Sequence, residues 1–281
     1  MLEKLLARLR PAGSDEGEVE TLSPPHERVL ARELGLPDAD GCIPWAAHEK
    51  EQPGAWGWIT PCHWQVGRDN VAMAPPQQLH LAQQDSRTLL AAMRPYFEQD
   101  GIALEFGVAP HWHARGEIFR DLATASLDRV VGREIGQWLP RGDVARTIRR
   151  LQQEMQMLLY THPVNDERAA RGLAPVNSFW VSGTGALPGP RKQAPAGLRV
   201  VHELREAALL QDWPTWSSAW QQVDARDCAN LLAAFDKGEQ VSLTLCGERN
   251  ARTFSGAGVG FFGKLAAMLK AGRIQAVLES L

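Results

Sequence analysis

From residue 144 to residue 160, apolar side chains recur at Val144, Ile148, Leu151, Met155 and Leu158. Steps of three and four line one face of an α-helix. Asp143 is placed to cap it, and Arg146, Arg149, Arg150 and Gln153 lie off the stripe. Weaker helical patterns cover 2–10, "HERVLARELGLP" (stopped by Gly35 and Pro37), 203–211, 225–236 and the closing "FFGKLAAMLKAG". "DSRTLLAAMRPYFEQDG" reads as a helix capped by Asp85, with a kink or break at Pro95. Aromatic and β-branched runs bounded by glycine predict strands in 54–67, in "IALEFGVAPHWHARG" and over 240–248. Two Pro/Gly-bearing stretches, 11–25 and 185–197, read as exposed loops, the second as a joint between subdomains.

This alternation predicts an α/β fold with a central mixed or parallel sheet and flanking helices. The expected divisions are N-terminal helices and a linker over 1–53, an α+β subdomain over 54–140 and an α/β portion over 141–281.

Composition narrows the function classes. The net charge of −3 over 281 residues argues against a nucleic-acid partner. No apolar run approaches the roughly 20 residues that span a bilayer, so no membrane association is expected. The N-terminus scatters charges through its apolar residues, unlike a secretory signal, and a cytoplasmic location is expected. Cys42, Cys62, Cys228 and Cys246 are spread without a CxxC pair, as reduced thiols are. Ten tryptophans accompany two tyrosines, an excess better explained by packing than by a stacking surface.

Few residues suggest chemistry. His111 and His113 share one face of an extended strand and, with Glu117, have metal-ligand character. An edge strand alternating aromatic and polar residues accounts for them more simply. Cys62 and His63 are adjacent, so in a strand they point apart and form no nucleophile–base pair. No GxSxG, HExxH, P-loop or GxGxxG occurs.

The densest stretch is "HPVNDERAARGLAPVNSFWVSGTG", 162–185. Structurally, Asn165 can cap a short helix whose C′ residue is Gly172, and Asn177 can turn the chain into a strand. Chemically, Ser182, Gly183, Thr184 and Gly185 could present backbone N–H groups to an anion, with Arg168 and Arg171 supplying charge. No helix follows to back such a nest. Residue chemistry alone leaves the two balanced.

Resemblance adds a lineage. "TPCHWQVGRDNV", "GREIGQWLP", the run 151–185 and "LTLCGE" resemble the bacterial family of RpfE-type regulatory proteins. More distantly, 124–188 is similar to the archaeal-type, cofactor-independent phosphoglycerate mutases. The similarity runs through Gly132–Arg133, Leu139–Pro140, His162 to Asn165, Arg168, Gly172, Pro175, Asn177, Trp180, Gly183, Gly185 and Pro188. It implies an alkaline-phosphatase-like α/β relationship, two metal ions held by Asp and His clusters, and a phosphorylated serine. The chain departs from that pattern in lacking the N-terminal metal-binding opening and a C-terminal Asp/His set.

Three functions follow. The leading one is a metal-free, cofactor-free mutase relative binding a phosphorylated small molecule at Asn165, Arg168, Arg171, Asn177 and Ser182–Gly185, with Arg133 and His162 as secondary candidates. The second is an active mutase-like isomerase or phosphatase using a divalent metal, where His111, His113, Glu117 and Asp128 are the first positions to examine. The third is a regulator that binds a protein partner and has no small-molecule site.

Overall fold

The structure is a computed structural model and describes residues 1–187, 189, 194–257 and 273–281. The closing helix expected over 261–272 lies outside the described residues, as does much of the loop read at 185–197. The chain forms two compact units, one of Met1–Val19 with Ala196–Leu281, the other of Glu20–Pro195. It begins in the smaller with α1 (Leu2–Arg8) and β1 (Arg10–Asp15). The larger unit runs as α2 (Pro25–Glu33), α3 (Trp45–Lys50), β2 (Gly54–Cys62), β3 (Trp64–Val66), β4 (Val71–Met73), α4 (Gln83–Gln99), β5 (Ala103–Val108), β6 (His111–Arg115), α5 (Leu127–Val130), α6 (Ala145–Tyr160), α7 (Pro163–Ala170) and β7 (Ser178–Leu187). The smaller resumes with α8 (Glu203–Leu209), α9 (Trp213–Val223), α10 (Ala229–Asp236), β8 (Val241–Cys246), β9 (Ala251–Gly256) and a last helix, Arg273–Glu279.

The molecule mixes α and β, but in place of the expected central mixed or parallel sheet the described residues form small antiparallel ones. The sheet orders are β5-β6-β2-β7, β1-β9-β8 and β3-β4, and every strand pair is antiparallel. Periodicity reports which faces a strand buries and not its direction, so it could not distinguish the two. The β2–β7 pairing also joins residues across the division expected at 140.

The four-stranded sheet is covered on both faces. Ile59, Trp112, Phe179 and Val181 point to one side, where α4 supplies Leu89, Leu90, Met93 and Phe97 and α6 supplies Ile148, Leu151, Met155 and Leu159. Trp56 and Leu187 point to the other, against Ala31 of α2 and Ala46 and Ala47 of α3. Burial of such side chains is worth roughly 1.5–3 kcal/mol each. The α6 stripe is displaced at its ends: Val144 is the exposed N-cap residue, and Leu159 replaces Leu158 as the fully buried position. Asp143 does not cap the helix but pairs with Arg146 at 2.6 Å. Pro95 does not break α4, because it and Ala91 lie on the exposed face where water can reach the freed carbonyl. Pro61 is tolerated in β2 because β6 pairs only as far as Ile59, leaving β7 alone alongside it.

In the smaller unit, Leu2, Leu5, Leu6 and Leu9 pack with Phe235, Val241 and Phe254. Residues 10–15, expected in a loop, form strand β1 against β9. Its residues are nearly all exposed, so it carries no buried alternation that periodicity could detect. The tryptophans divide: Trp56, Trp112 and Trp180 are fully buried, whereas Trp213 is exposed.

At Gly185 (φ +140°) a Cβ would lie 2.6 Å from the Cys42 carbonyl oxygen, whereas at Gly132 (φ +69°) nothing lies within 4 Å. Gly185→Ala should therefore cost about 3 kcal/mol, and Gly132→Ala about 1 kcal/mol, for backbone strain alone. Urea denaturation of the two variants measures the difference.

Candidate functional site

The 162–185 block is held together by its own polar side chains. Asn165 is not the helix cap; α7 begins earlier, with His162 as N-cap accepting from the Val164 N–H at 3.2 Å through Nδ1. Pro163 suits the first helical position, where no donor is needed. Asn165 lies inside the helix and buried. Its amide donates to the carbonyls of Leu159 and Val176, both at 2.8 Å, and its Oδ1 accepts from the Val176 N–H at 2.9 Å. Asn177 does the same to Trp64, accepting its N–H at 2.7 Å and donating to its carbonyl at 2.9 Å. Each asparagine thus imitates a strand neighbour for a segment that lacks one.

Arg168 has no exposed surface. Nε and Nη2 donate to the Ala174 carbonyl at 3.0 and 2.9 Å, Nη2 also to the Leu79 carbonyl at 2.6 Å, and Nη1 to Asp85 at 3.3 Å. Burial lowers its pKa, and the hydrogen bond and charge of Asp85 oppose that shift. Asp85 sits in the first turn of α4, two residues past its start, and is buried as an ion-pair partner instead of serving as the cap. Its Oδ2 also meets the half-exposed Arg171 at 2.7 Å. The guanidinium is consumed by carbonyls that irregular chain would otherwise leave unpaired.

Nor do Ser182–Gly185 form a nest. They belong to β7 and pass β2 at a bulge opposite Trp56–Trp58. Ser182 and Thr184 are buried, and Thr184 Oγ1 approaches the carbonyls of Leu122 and Gly41 at 2.6 and 3.1 Å and Thr124 Oγ1 at 2.9 Å. Gly183 (φ +61°) lies against the Trp58 ring, where a Cβ would come within 2.6 Å. Arg133 is exposed beyond α5, and its carbonyl accepts from the Met73 N–H. The block therefore gathers its candidates into one framework without turning them toward a common opening.

A different cluster forms on the α3 side of the sheet. Glu49 of α3 meets His111 and His113 of β6, their Nε2 atoms lying 3.4 and 3.1 Å from Glu49 Oε2. Trp58 Nε1 donates to that same oxygen at 2.6 Å. Register accounts for the meeting: His113 sits opposite Trp58 on β2 and Glu105 on β5, and Trp58 sits opposite Ser182 on β7. Burial lowers the His113 pKa against the opposing pull of Glu49. Burial pushes the Glu49 carboxyl up, but the charge of His111 and the bonds from His113 and Trp58 outweigh it and hold it low. His111 Nε2 and His113 Nδ1 are buried without a hydrogen-bond partner.

Glu117, grouped with the two histidines in the sequence, does not join them but pairs with Arg120 at 2.8 Å. Glu49 was missed because it lies on a six-residue helix, too short for a periodic signal, and 62 positions before His111. Asp128 pairs instead with His26 at 3.2 Å. Cys62 is fully buried, which raises its pKa, and His63 bonds the Pro175 carbonyl, so neither prepares a nucleophile.

A two-metal phosphoryl-transfer centre does not fit these residues. Among the described residues, Glu49, His111 and His113 are the only group of three or more His, Cys, Asp or Glu with converging ligand atoms. The remaining residues, 188, 190–193 and 258–272, contain none of those four types. Two ions sharing one site need more donors than three side chains offer.

No family model matches the chain. It is similar to the 2,3-bisphosphoglycerate-independent phosphoglycerate mutase of Methanothrix thermoacetophila, 34% identical over 84 residues, which cover 30% of this chain and 21% of that enzyme. The corresponding enzyme of Methanosarcina mazei is 37% identical over 59 residues, 21% of this chain and 15% of that one. The likeness thus spans about a fifth of the relatives' length, and the chain is a distant relative of these mutases. Among solved structures, the cofactor-independent phosphoglycerate mutase of Thermoplasma acidophilum aligns with 90% of this chain and 81% of its own at 13% identity and a TM-score of 0.39. A Pyrococcus horikoshii protein aligns with 92% of this chain and 80% of its own at 12% identity and the same TM-score of 0.39. Among the described residues, no helix is long and apolar enough to cross a membrane.

Removing Arg168 deprives the buried carbonyls of Leu79 and Ala174 of its donors and leaves Asp85 with Arg171 alone. Arg168→Ala should destabilise by about 3–5 kcal/mol, and Arg171→Ala, at a half-exposed pair, by less than about 1 kcal/mol. Chemical denaturation of both, with equal losses sinking the distinction, is the check.

Proposed function

We propose that this protein is a non-enzymatic regulator built on a mutase-related framework, acting through association with another macromolecule and not by turning over a phosphorylated metabolite. The observation that carries this is the saturation of Asn165, Arg168 and Asn177 by the chain's own backbone. A phosphate bound at those groups would have to displace buried hydrogen bonds, each costly to leave unmade. The lack, among the described residues, of a donor set large enough for two metal ions points the same way, and so does the resemblance to RpfE-type regulatory proteins. A contact surface is available at the start of α9, where Trp213 is exposed and Trp216 partly so, while Trp220 packs on the core of the unit. The last two rings stack at 6.1 Å, and Trp213 is 58% exposed. Exposed tryptophan is the side chain most enriched at energetic centres of interfaces.

Mutase and phosphatase assays on the full chain with added manganese should give no rate above the enzyme-free control. Thermal denaturation should not shift with 2- or 3-phosphoglycerate, although a ligand at 100 times its dissociation constant adds about 2.7 kcal/mol. Turnover, or a ligand-dependent shift abolished by Arg171→Ala, overturns the proposal.

A further inference from the structure

We propose that Glu49, His111 and His113 form a binding site for one borderline transition-metal ion of the zinc class, which clips α3 to β6. The donors are already spaced for it. A tetrahedral ion with bonds of about 2.0–2.1 Å holds its ligand atoms about 3.3–3.4 Å apart, and the two histidine Nε2 atoms stand 3.4 and 3.1 Å from Glu49 Oε2. All three ligand atoms lie within 4.8 Å of one another.

The protein leaves this spot unsatisfied. His111 Nε2 is buried and, although Glu49 Oε2 lies 3.4 Å away, makes no hydrogen bond. Buried polar atoms are ordinarily paired, and an ion between these groups supplies the missing partner. The same Oε2 accepts from the Trp58 indole N–H at 2.6 Å, which occupies one of its lone pairs, orients the carboxylate and leaves the other lone pair for an ion. The nearby cation Lys50 is neutralised by Glu105 at 2.6 Å.

Ligand chemistry selects the class of ion. Two imidazoles with one carboxylate suit zinc and its neighbours, whereas magnesium and calcium take oxygen-rich sets. Three protein donors leave a fourth position for water or an exogenous donor. The inference is independent of the regulatory role proposed above, since it concerns residues of the larger unit and none of α9.

The test is competition for Zn2+ between the metal-stripped full chain and a chromophoric chelator, with Co2+ absorption as a second readout. Wild type should take up one ion tightly and give the visible band of tetrahedral Co2+. Both His111→Ala and Glu49→Gln, at half-exposed positions that leave the core intact, should weaken binding by about 100-fold or more and lose the band. Trp58→Phe should weaken it by about 10-fold. His202→Ala, an exposed histidine of the smaller unit, should match wild type. Circular dichroism melts confirm that each variant is folded before it is titrated. Failure of the wild type to bind, uptake unchanged in both His111→Ala and Glu49→Gln, or an equal loss in His202→Ala overturns the site.

Discussion

The larger unit depends on the pairing of β2 with β7. β2 alone is too apolar to stand at an edge, with buried residues along nearly its whole length. β6 covers only Trp56–Ile59 of one side, and β7 supplies the other from Gly54 to Cys62. Once β7 is in place, Phe179 and Val181 complete the face that receives α4 and α6, and Leu187 completes the face that receives α3. Much of the 162–185 block is explained as the means of delivering β7 to that position. Asn165 fastens α7 to the chain just before the strand, and Asn177 fastens the strand's approach to β3.

The bulge in that pairing links the 162–185 block to the Glu49 cluster. Gly183 leaves room for the Trp58 ring, and Trp58 in turn holds the Glu49 carboxylate. Gly185 leaves room for the chain at Cys42 and Pro44, which leads directly into α3. Both glycines set the distance between the sheet and the helix that carries Glu49. A glycine-rich run that reads as a ligand loop thus works as a spacer, because a missing Cβ admits an indole as readily as a phosphate.

What was legible in the sequence follows from range. α6 could be read because its stripe is local and long, although the strand direction and the exposed strand β1 could not. His111 and His113 could be paired from strand alternation, but Glu49 reaches them only through tertiary packing. Asn165 reads locally as a cap but bonds the backbone at Leu159 and Val176, since a cap and a backbone clamp use the same amide and differ only in which segment lies nearby. Asp85 illustrates the limit best. As a helix-start acid it is ordinary, and only its burial against Arg168 gives it another role.

That buried arginine also bears on how the fold is reached. Its guanidinium draws on Ala174, a neighbour in the chain, but also on Leu79 and Asp85, more than 80 positions away. A partly folded chain in which α7 had collapsed before α4 docked would hold a bare cation in an apolar interior. Such an arrangement is disfavoured by several kcal/mol, so burial of Arg168 is favourable only with α4 and the chain at Leu79 in place.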